Sequence, residues 1–282
     1  MSNFVITGFS DEIDSNVKVQ FEELNRIGIE FYEPRFINDK NIADLDVKET
    51  EELLELMKKH GIKASSIGSP IGKISITDDF ELHFEKFKNV VRIAKTLGTK
   101  YIRMFSFFVA PEDCAKYRNE VISRLSRLIE YAKAEDVVLL HENEKDVYGD
   151  TVERCVDLMK ELYCDNFKAV FDPANFVQCK QDTKEGFRVL SPYIEYMHIK
   201  DAVKEDGKIV PSGEGDGNIE YILGKLKEKG YNGFLSLEPH LGSFSGLENL
   251  EKGDEMLKLE KSSAEKYELA YESLKKIINR IQ

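Results

Sequence analysis

Residues 80–105, FELHFEKFKNVVRIAKTLGTKYIRMF, contain the unit that determines the fold of this chain. Apolar side chains recur at helical spacing over Phe80–Leu97, and Gly98 follows at the position where helices commonly end. Three residues later, the aromatic and β-branched run Tyr101–Phe105 has the composition of a strand. The segment therefore predicts a helix, a glycine stop and a strand, in that order.

The same unit recurs along the chain. The amphipathic stretch Asn16–Ile27 stops at Gly28, Glu49–His60 stops at Gly61, and a further glycine precedes the last predicted strand. The predicted strands are Phe4–Gly8, Ile29–Glu33, Ile62–Ile67, Tyr101–Phe105, Val137–His141, Ala169–Asp172, Ile194–Ile199 and Phe234–Leu237. Their starts lie 25 to 40 residues apart, which is the length of one strand, one helix and two loops.

Strict alternation of strands and helices favours a parallel sheet, because parallel pairing needs a crossover connection. Eight such repeats predict an α/β fold of the (β/α)8 TIM-barrel type, and we expect one domain over residues 1–282. An open doubly wound sheet is the alternative. It is disfavoured because ITGFSDE stands at the first strand, where a G-x-G-x-x-G motif would be expected.

The composition is that of a folded, acidic protein. The 282 residues are 41% hydrophobic and carry a formal charge of −12, the opposite of what a nucleic-acid-binding surface needs. Apolar runs are far shorter than the roughly 20 residues that span a bilayer. The N-terminus shows no secretory signal, and the four cysteines form no CxxC pair. We therefore expect a cytoplasmic protein that binds neither nucleic acid nor membrane.

Ligand-type residues stand at the ends of four consecutive predicted strands, the fifth to the eighth. These residues are Glu142, Asp172, His198 and Glu238. The carboxyl ends of the strands are the rim where active sites of this fold lie. Three carboxylates and one imidazole suit Mn²⁺, Mg²⁺, Co²⁺ or Zn²⁺, and a bound cation keeps crowded carboxylates ionised. The sequence thus predicts a site for one divalent metal ion, although any one of these carboxylates alone would more often be a loop residue or a helix cap.

The segments LLHEN, VFDPANF, YMHIKD and LSLEPH resemble the metal-site strands of the xylose isomerase-like barrel superfamily. The resemblance covers nearly the whole chain. That superfamily contains ketose 3-epimerases, sugar-phosphate isomerases and epimerases, hydroxypyruvate isomerases, inosose dehydratases and the endonuclease IV type of DNA-repair enzyme. Because the individual motifs are short, they specify the superfamily more strongly than the reaction.

The resemblance implies that Glu142, Asp172, His198 and Glu238 bind the cation and that the two glutamates are the catalytic acid–base pair. One glutamate would take the proton from the substrate carbon to form a metal-stabilised enediolate, and the other would return a proton from the opposite face. The expected enzyme is an isomerase or epimerase of a small sugar, keto-sugar or sugar phosphate. A homo-oligomer paired through the loop-bearing faces is also compatible with the resemblance.

Two positions depart from the pattern of the epimerases. Asn175 stands three residues after the aspartate ligand, where epimerases often carry a substrate-contacting histidine, and an amide still binds hydroxyls. Glu144 stands where many relatives carry another histidine. Lys204, six residues after the ligand histidine, takes the place of a basic residue that commonly meets substrate oxygens, or is a solvated loop lysine.

Further residues are candidates for substrate binding. Lys200 and His240 each lie two residues after a ligand and share its face of the strand. Glu33 and Arg35, in FYEPR, line the pocket or form a salt-bridged pair at the rim. Arg103 reaches a substrate anion or, in the interpretation we favour, forms an ion pair with Glu33 or Glu142 inside the barrel.

Other functions remain open on the sequence alone. A non-catalytic sugar- or polyol-binding barrel and an inosose-dehydratase-like dehydratase are the main alternatives. Multi-zinc endonuclease chemistry is disfavoured by five histidines and the acidic charge. Glycoside hydrolysis leaves the aspartate and the histidine unexplained, and nicotinamide chemistry lacks its glycine-rich motif. Two long loops, Ala202–Gly217 and Pro239–Lys258, follow predicted strands, and the second is a candidate lid or subunit contact.

Overall fold

Parallel strands curl into a barrel wall with helices outside it. The computed structural model describes residues 3–244, 247 and 260–281. Its strands are β1 (Asn3–Gly8), β2 (Phe31–Tyr32), β3 (Phe36–Ile37), β4 (Lys40–Asn41), β5 (Lys63–Ala64), β6 (Ile67–Gly68), β7 (Tyr101–Met104), β8 (Val138–Glu142), β9 (Phe167–Phe171), β10 (Ile194–Ile199), β11 (Asp201–Ala202), β12 (Ile209–Val210) and β13 (Asn232–Leu237).

The described helices alternate with the wall strands, as the sequence predicts. They are α1 (Val17–Ile27), α2 (Val47–His60), α3 (Phe80–Leu97), α4 (Cys114–Ala134), α5 (Val152–Leu162), α6 (Pro173–Gln178), α7 (Thr183–Leu190), α8 (Ile219–Glu228) and α9 (Ala264–Ile281). Short 3-10 turns occupy Ser10–Glu12, Ile42–Asp44, Pro111–Asp113 and Tyr148–Asp150. None of the helices in the described ranges is long and apolar enough to cross a membrane.

Local signals fix where the first helices begin and end. The Asn16 side chain accepts the Lys18 N–H at the start of α1, and Asp46 forms a capping box with Glu49 at the start of α2. Gly28 ends α1 and Gly98 ends α3, each with a positive φ, the left-handed conformation that glycine adopts without a steric penalty.

The wall is a seven-stranded parallel sheet in the order β1-β13-β10-β9-β8-β7-β6, together with the parallel pair β2-β5. The Glu33 N–H donates to the Gly8 carbonyl at 2.8 Å and links the end of β2 to β1. The chain therefore has the TIM-barrel α/β fold expected from the sequence.

The third predicted strand, Ile62–Ile67, is divided into β5 and β6. The division falls where the pairing partner changes, because β5 pairs with β2 and β6 pairs with β7, although the Ser65 N–H still donates to the Tyr32 carbonyl at 2.9 Å. The predicted loop Ala202–Gly217 begins with the antiparallel hairpin of β11 and β12. Most of the other predicted loop, Pro239–Lys258, lies outside the described residues.

Alternate side chains of each wall strand pack on opposite faces. The larger apolar core lies between sheet and helices and includes Leu139, Phe171 and Met197. A second cluster consists of the alternate side chains of the same strands, which point into the interior of the barrel. We call it the interior apolar layer; its members are Val138, Leu140, Val170 and Tyr196, with Tyr101 and Phe234 packed against them.

Candidate active site

The four predicted ligands meet at the carboxyl end of the barrel, directly above the interior apolar layer. Glu142 ends β8, Asp172 follows β9, His198 lies in β10 and Glu238 follows β13. Because β8, β9, β10 and β13 are neighbours in the sheet, their ends form one continuous arc with the two glutamates at its flanks. Each side chain offers one ligand atom, and these atoms all lie within 4.8 Å of one another. We call these four residues the donor group.

The imidazole of His198 is the centre of the donor group. Its Nδ1 lies 2.9 Å from Glu142 Oε1 and 3.3 Å from Glu238 Oε2. Lys200 projects from the same strand end, and its Nζ lies 3.1 Å from Asp172 Oδ2 and 3.2 Å from Glu238 Oε2. The ammonium group of Lys200 is therefore a direct neighbour of two candidate ligands, and all of these side chains are buried.

Asp172 is fixed by its place at the start of α6. Its Oδ1 accepts the Asn175 N–H at 2.9 Å, as an N-cap does. The Asn175 amide donates to the Asn143 carbonyl at 2.9 Å and approaches Glu142 Oε1 at 3.3 Å. Asn143 in turn exchanges two hydrogen bonds with the backbone of Asp172. Asn175 thus connects two candidate ligands.

The electrostatics of the donor group reflect an excess of buried carboxylates. Burial raises the pKa of Asp172 to about 7, with Glu238 and Glu142 acting in the same direction and Lys200 opposing them. Burial acts to lower the pKa of His198, but Glu142 and Glu33 outweigh it and raise that pKa well above its usual range. Asp172 and His198 therefore each hold a proton more tightly than an ordinary carboxyl group or imidazole, and a divalent cation would take over this charge-balancing role.

Glu238 shows the opposite shift because cations surround it. Burial acts to raise its pKa, but Lys200, His198 and His240 hold it well below the usual range of a carboxyl group. Its Oε1 also accepts a hydrogen bond from Arg35 Nη1 at 3.2 Å. Both oxygens of this carboxylate are thus held by positively charged or imidazole groups.

The donor set fits a divalent cation such as Mn²⁺, Mg²⁺, Co²⁺ or Zn²⁺. Carboxylate oxygens and one imidazole nitrogen are ligands that these ions share, and here they converge from four different strands. The orientation of His198 is suitable, since Nδ1 faces the carboxylates while Nε2 points away from them toward Glu33.

Arg35 forms a second buried network beside the donor group. Its guanidinium is hydrogen-bonded to Asp11 at 2.8 and 3.2 Å and to Glu12 at 3.2 Å. It also lies between the rings of Phe9 and Phe244, 4.4 and 4.6 Å from their centroids. His240 belongs to this network, because its backbone N–H donates to Glu12 and its Nε2 lies 3.4 Å from Glu238 Oε1.

The structure brings most of the predicted substrate residues to the donor group. Asn175, Lys200 and His240 contact candidate ligands directly. Arg103 Nε lies 3.4 Å from Glu142 Oε2, the ion pair that the sequence favoured. Lys204 is not brought to the group: it is exposed between β11 and β12, and its backbone N–H donates to Asp216.

Glu33 follows β2 and, among the described residues, does not form the salt bridge that was one of its two expected roles. It is fully buried and forms no pair with Arg35 in the described part of the chain. Its Oε2 accepts hydrogen bonds from the hydroxyls of Ser236 and Tyr196 at 2.7 and 3.0 Å. Glu33 therefore lies between the interior apolar layer and His198, and its contact with substrate stays a prediction.

Sequence reasoning missed Asp11, Glu12 and Asn143. The acidic pair follows the first strand in GFSDE, a position at the rim that the strand pattern already indicates. Asn143 follows Glu142 in LLHEN, and its side chain turns to the backbone of Asp172 rather than to the donor group. Of these three residues, only Asp11 and Glu12 could have been identified from the sequence, because they are two carboxylates at the end of a predicted strand.

Comparisons with known proteins agree with this geometry. Residues 21–279 match the model of the Xylose isomerase-like TIM barrel family, so the chain belongs to this family.

Two curated relatives match part of the chain. An uncharacterized protein of Methanocaldococcus jannaschii is 29% identical over 174 residues, which are 56% of this chain and 57% of that protein. The probable L-ribulose-5-phosphate 3-epimerase UlaE of Mycoplasma pneumoniae is 24% identical over 139 residues, 49% of this chain and 45% of that protein. The chain thus matches about half the length of these relatives.

Solved structures share the fold over a larger fraction of the chain. The IOLI protein with a bound zinc atom has a TM-score of 0.75 and 18% identity, and the alignment covers 98% of this chain and 99% of that one. The probable 3-DHS dehydratase AsbF of Bacillus anthracis has a TM-score of 0.68 and 21% identity, with 84% and 92% covered.

Proposed function

We propose that the protein is a divalent-metal-dependent isomerase or epimerase of a small sugar, keto-sugar or sugar phosphate. The observation that carries the proposal is the convergence of Glu142, Asp172, His198 and Glu238 within 4.8 Å at the carboxyl end of the barrel. A divalent cation bound there would polarise a ketose carbonyl and the neighbouring hydroxyl. This would lower the pKa of the hydrogen on the carbon that carries this hydroxyl.

The two glutamates are the acid–base pair of the proposal. They lie at opposite flanks of the four-strand arc, since β8 and β13 are separated by β9 and β10. One carboxylate removes the proton from the substrate carbon to form an enediolate, and the other returns a proton from the opposite face. Lys200 and Asn175, which contact the candidate ligands, bind the substrate oxygens nearest the reacting carbon.

The probable epimerase among the relatives supports this choice of reaction class. A dehydration is the second candidate, favoured by the buried ammonium of Lys200. The first step is the same removal of a proton, after which the enediolate loses a hydroxyl group that Lys200 protonates, so that water leaves. The products distinguish the two reactions, because only dehydration lowers the substrate mass by one water.

The test is solvent exchange at substrate carbon. Protein reconstituted with Mn²⁺ is incubated in heavy water with a panel of ketoses and ketose phosphates, and deuterium incorporation is followed by NMR. We expect exchange with at least one substrate, and Glu142→Gln and Glu238→Gln each to reduce its rate by at least about 100-fold. The matched control is Glu220→Gln, an exposed glutamate paired with Arg280.

Two outcomes would contradict the proposal. Exchange that persists in both glutamine variants would remove the glutamates from the mechanism. Saturable sugar binding without exchange for any member of the panel would instead indicate a non-catalytic sugar- or polyol-binding barrel.

A further inference from the structure

Glu33 is a buried carboxylate directly beneath His198 and outside the donor group. Its Oε2 accepts hydrogen bonds from Ser236 and Tyr196, and the same oxygen lies 3.4 Å from His198 Nε2. The side chains of Glu33 and His198 are both fully buried. The imidazole is otherwise flanked edge-on by the rings of Phe9 and Tyr196, at 5.2 and 5.9 Å between centroids.

A buried carboxylate needs proton donors, because transfer from water to an apolar interior strongly disfavours an isolated charge. Within the described residues, no lysine or arginine forms an ion pair with Glu33. Its Oε2 faces two hydroxyl groups and one imidazole nitrogen, whereas its Oε1 has no hydrogen-bond partner among the described residues. These contacts identify His198 as the ionisable partner of Glu33.

Hydroxyl groups hold Glu33 in this position from below. The Tyr196 hydroxyl, which donates to Glu33, also lies 2.9 Å from Ser65 Oγ. Ser65 Oγ in turn lies 2.8 Å from Thr7 Oγ1. These hydrogen bonds connect strand β1, the segment between β5 and β6, and β10. The carboxylate is therefore oriented by several wall strands and not by a mobile loop.

The two nitrogens of His198 face different partners. Nδ1 lies 2.9 Å from Glu142 and 3.3 Å from Glu238, whereas Nε2 faces Glu33. A histidine that ligates a metal through Nδ1 must carry its remaining proton on Nε2. Nε2 and Glu33 Oε2 lie 3.4 Å apart without forming a hydrogen bond, and Nε2 has no other hydrogen-bond partner among the described residues, so a small rotation of the ring or the carboxylate is needed to point the N–H at the oxygen.

We propose that Glu33 is a positioning residue that holds the proton of His198 on Nε2 and orients the ring, so that Nδ1 is presented to the divalent cation. This inference rests on the metal site of the proposed function and deepens it. Glu33 lies beneath the metal site and supports cation binding through His198, and it has no role in substrate binding in this proposal. Partners of this kind typically change metal affinity 10- to 100-fold.

The test measures metal affinity, not turnover. Wild type, Glu33→Gln and Glu33→Asp are stripped with a chelator and titrated with Co²⁺, whose visible spectrum reports its coordination. Gln removes the charge at constant size, and Asp keeps the charge but withdraws it by one methylene. Because Asp preserves the carboxylate, it also provides a second readout if the Gln variant does not fold.

We expect both variants to bind Co²⁺ about 10- to 100-fold more weakly than wild type, with altered spectra. The matched control is Glu144→Gln, another buried glutamate, whose carboxylate pairs with Lys73 at 3.0 Å. We expect this control to bind Co²⁺ within about threefold of wild type.

The outcomes separate the inference from the proposed function. Affinity and spectrum equal to wild type in both Glu33 variants would overturn the inference while leaving the metal site intact. Wild-type affinity in Glu33→Asp alone would also overturn the inference. It would show that a negative charge near His198 is sufficient and that contact between the carboxylate and Nε2 is not needed. Absence of saturable Co²⁺ binding by wild type would instead overturn the metal site of the proposed function.

Discussion

The barrel interior contains two layers of opposite character, built by the same strands. Strand β8 supplies Leu140 to the interior apolar layer and, two residues later, Glu142 to the donor group. The lower layer stabilises the barrel by removing apolar surface from water. The upper layer concentrates buried carboxylates whose desolvation opposes folding unless cations balance them. On this strand, a residue that stabilises the barrel and a candidate metal ligand are thus only two positions apart.

Glu33 lies at the boundary between the two layers. Its partner Tyr196 packs its ring in the interior apolar layer and directs its hydroxyl upward to the carboxylate. These contacts show that hydrogen bonds to Glu33, and not only apolar packing, connect the donor group to the layer below it. Variants of each layer should therefore affect different measurements.

Lys200→Met should have the largest effect on the stability of the metal-free protein. It removes the ammonium next to Asp172 and Glu238, and breaking a buried ion pair typically costs 3 to 5 kcal/mol. We expect the free energy of unfolding to fall by about 4 kcal/mol at pH 8, measured by urea denaturation with chelator present. Added Mn²⁺ should restore part of this loss.

A lysine at the opposite end of the barrel provides the control. Lys168 Nζ lies 3.2 Å from the Tyr163 hydroxyl and 3.8 Å from the exposed Asp165. Lys168→Met should change the free energy of unfolding by less than about 1 kcal/mol. Equal effects of the two substitutions would show that Lys200 does not balance the donor group.

Leu140→Ala tests the lower layer. The side chain is fully buried, so its loss leaves a cavity, and we expect a decrease of about 3 kcal/mol in the free energy of unfolding. Leu82→Ala is the matched control, because Leu82 is 74% exposed and should change stability by less than about 0.5 kcal/mol. Mn²⁺ affinity of folded Leu140→Ala should stay near wild type; a large loss would mean that the layers are not separable.

His83→Gln should have the smallest effect, and it depends on pH. His83 Nε2 accepts the Gly72 N–H at 2.8 Å, and burial lowers the pKa of this histidine to about 4. The unfolded chain binds this proton below about pH 6.5, so the folded state loses stability as pH falls from 6.5 to 4.

The variant does not titrate at this position. The pH-dependent loss between pH 6.5 and 4 should therefore decrease by on the order of 2 kcal/mol, measured by urea denaturation at several pH values. This result would contrast His83, whose pKa is lowered by burial and by Lys86 and Arg124, with His198, whose pKa the carboxylates raise. Identical pH dependence in both proteins would contradict the assignment.

Much of the fold was predictable because its signals are local. Glycine stops such as Gly28 and Gly98 ended the helices as expected. The four strand ends of the donor group were identified because the carboxyl ends of parallel strands meet at one rim. The split of the third strand was not predictable, since it follows from a change of pairing partner from β2 to β7 along the chain.

Contacts between distant segments were also beyond the sequence. Arg35 joins Asp11 to Glu238, residues at the two ends of the chain that only barrel closure brings together. Glu33 and His198 both follow the inward strand register, but their relative depth depends on the stagger of the strands. Lys204 lies exposed in a hairpin that begins directly after β10, as in the solvated alternative, and its contact with substrate stays a prediction.

The most direct measurement is a calorimetric titration of chelator-treated protein with Mn²⁺, run on wild type beside Asp172→Asn. Asparagine keeps the N-cap of α6 but removes one charged ligand, so the fold should be preserved. The account predicts saturable binding of one Mn²⁺ per chain, weakened at least tenfold in the variant. Absence of saturable binding by wild type, or equal affinity in Asp172→Asn, would contradict the claim that the donor group is a metal site.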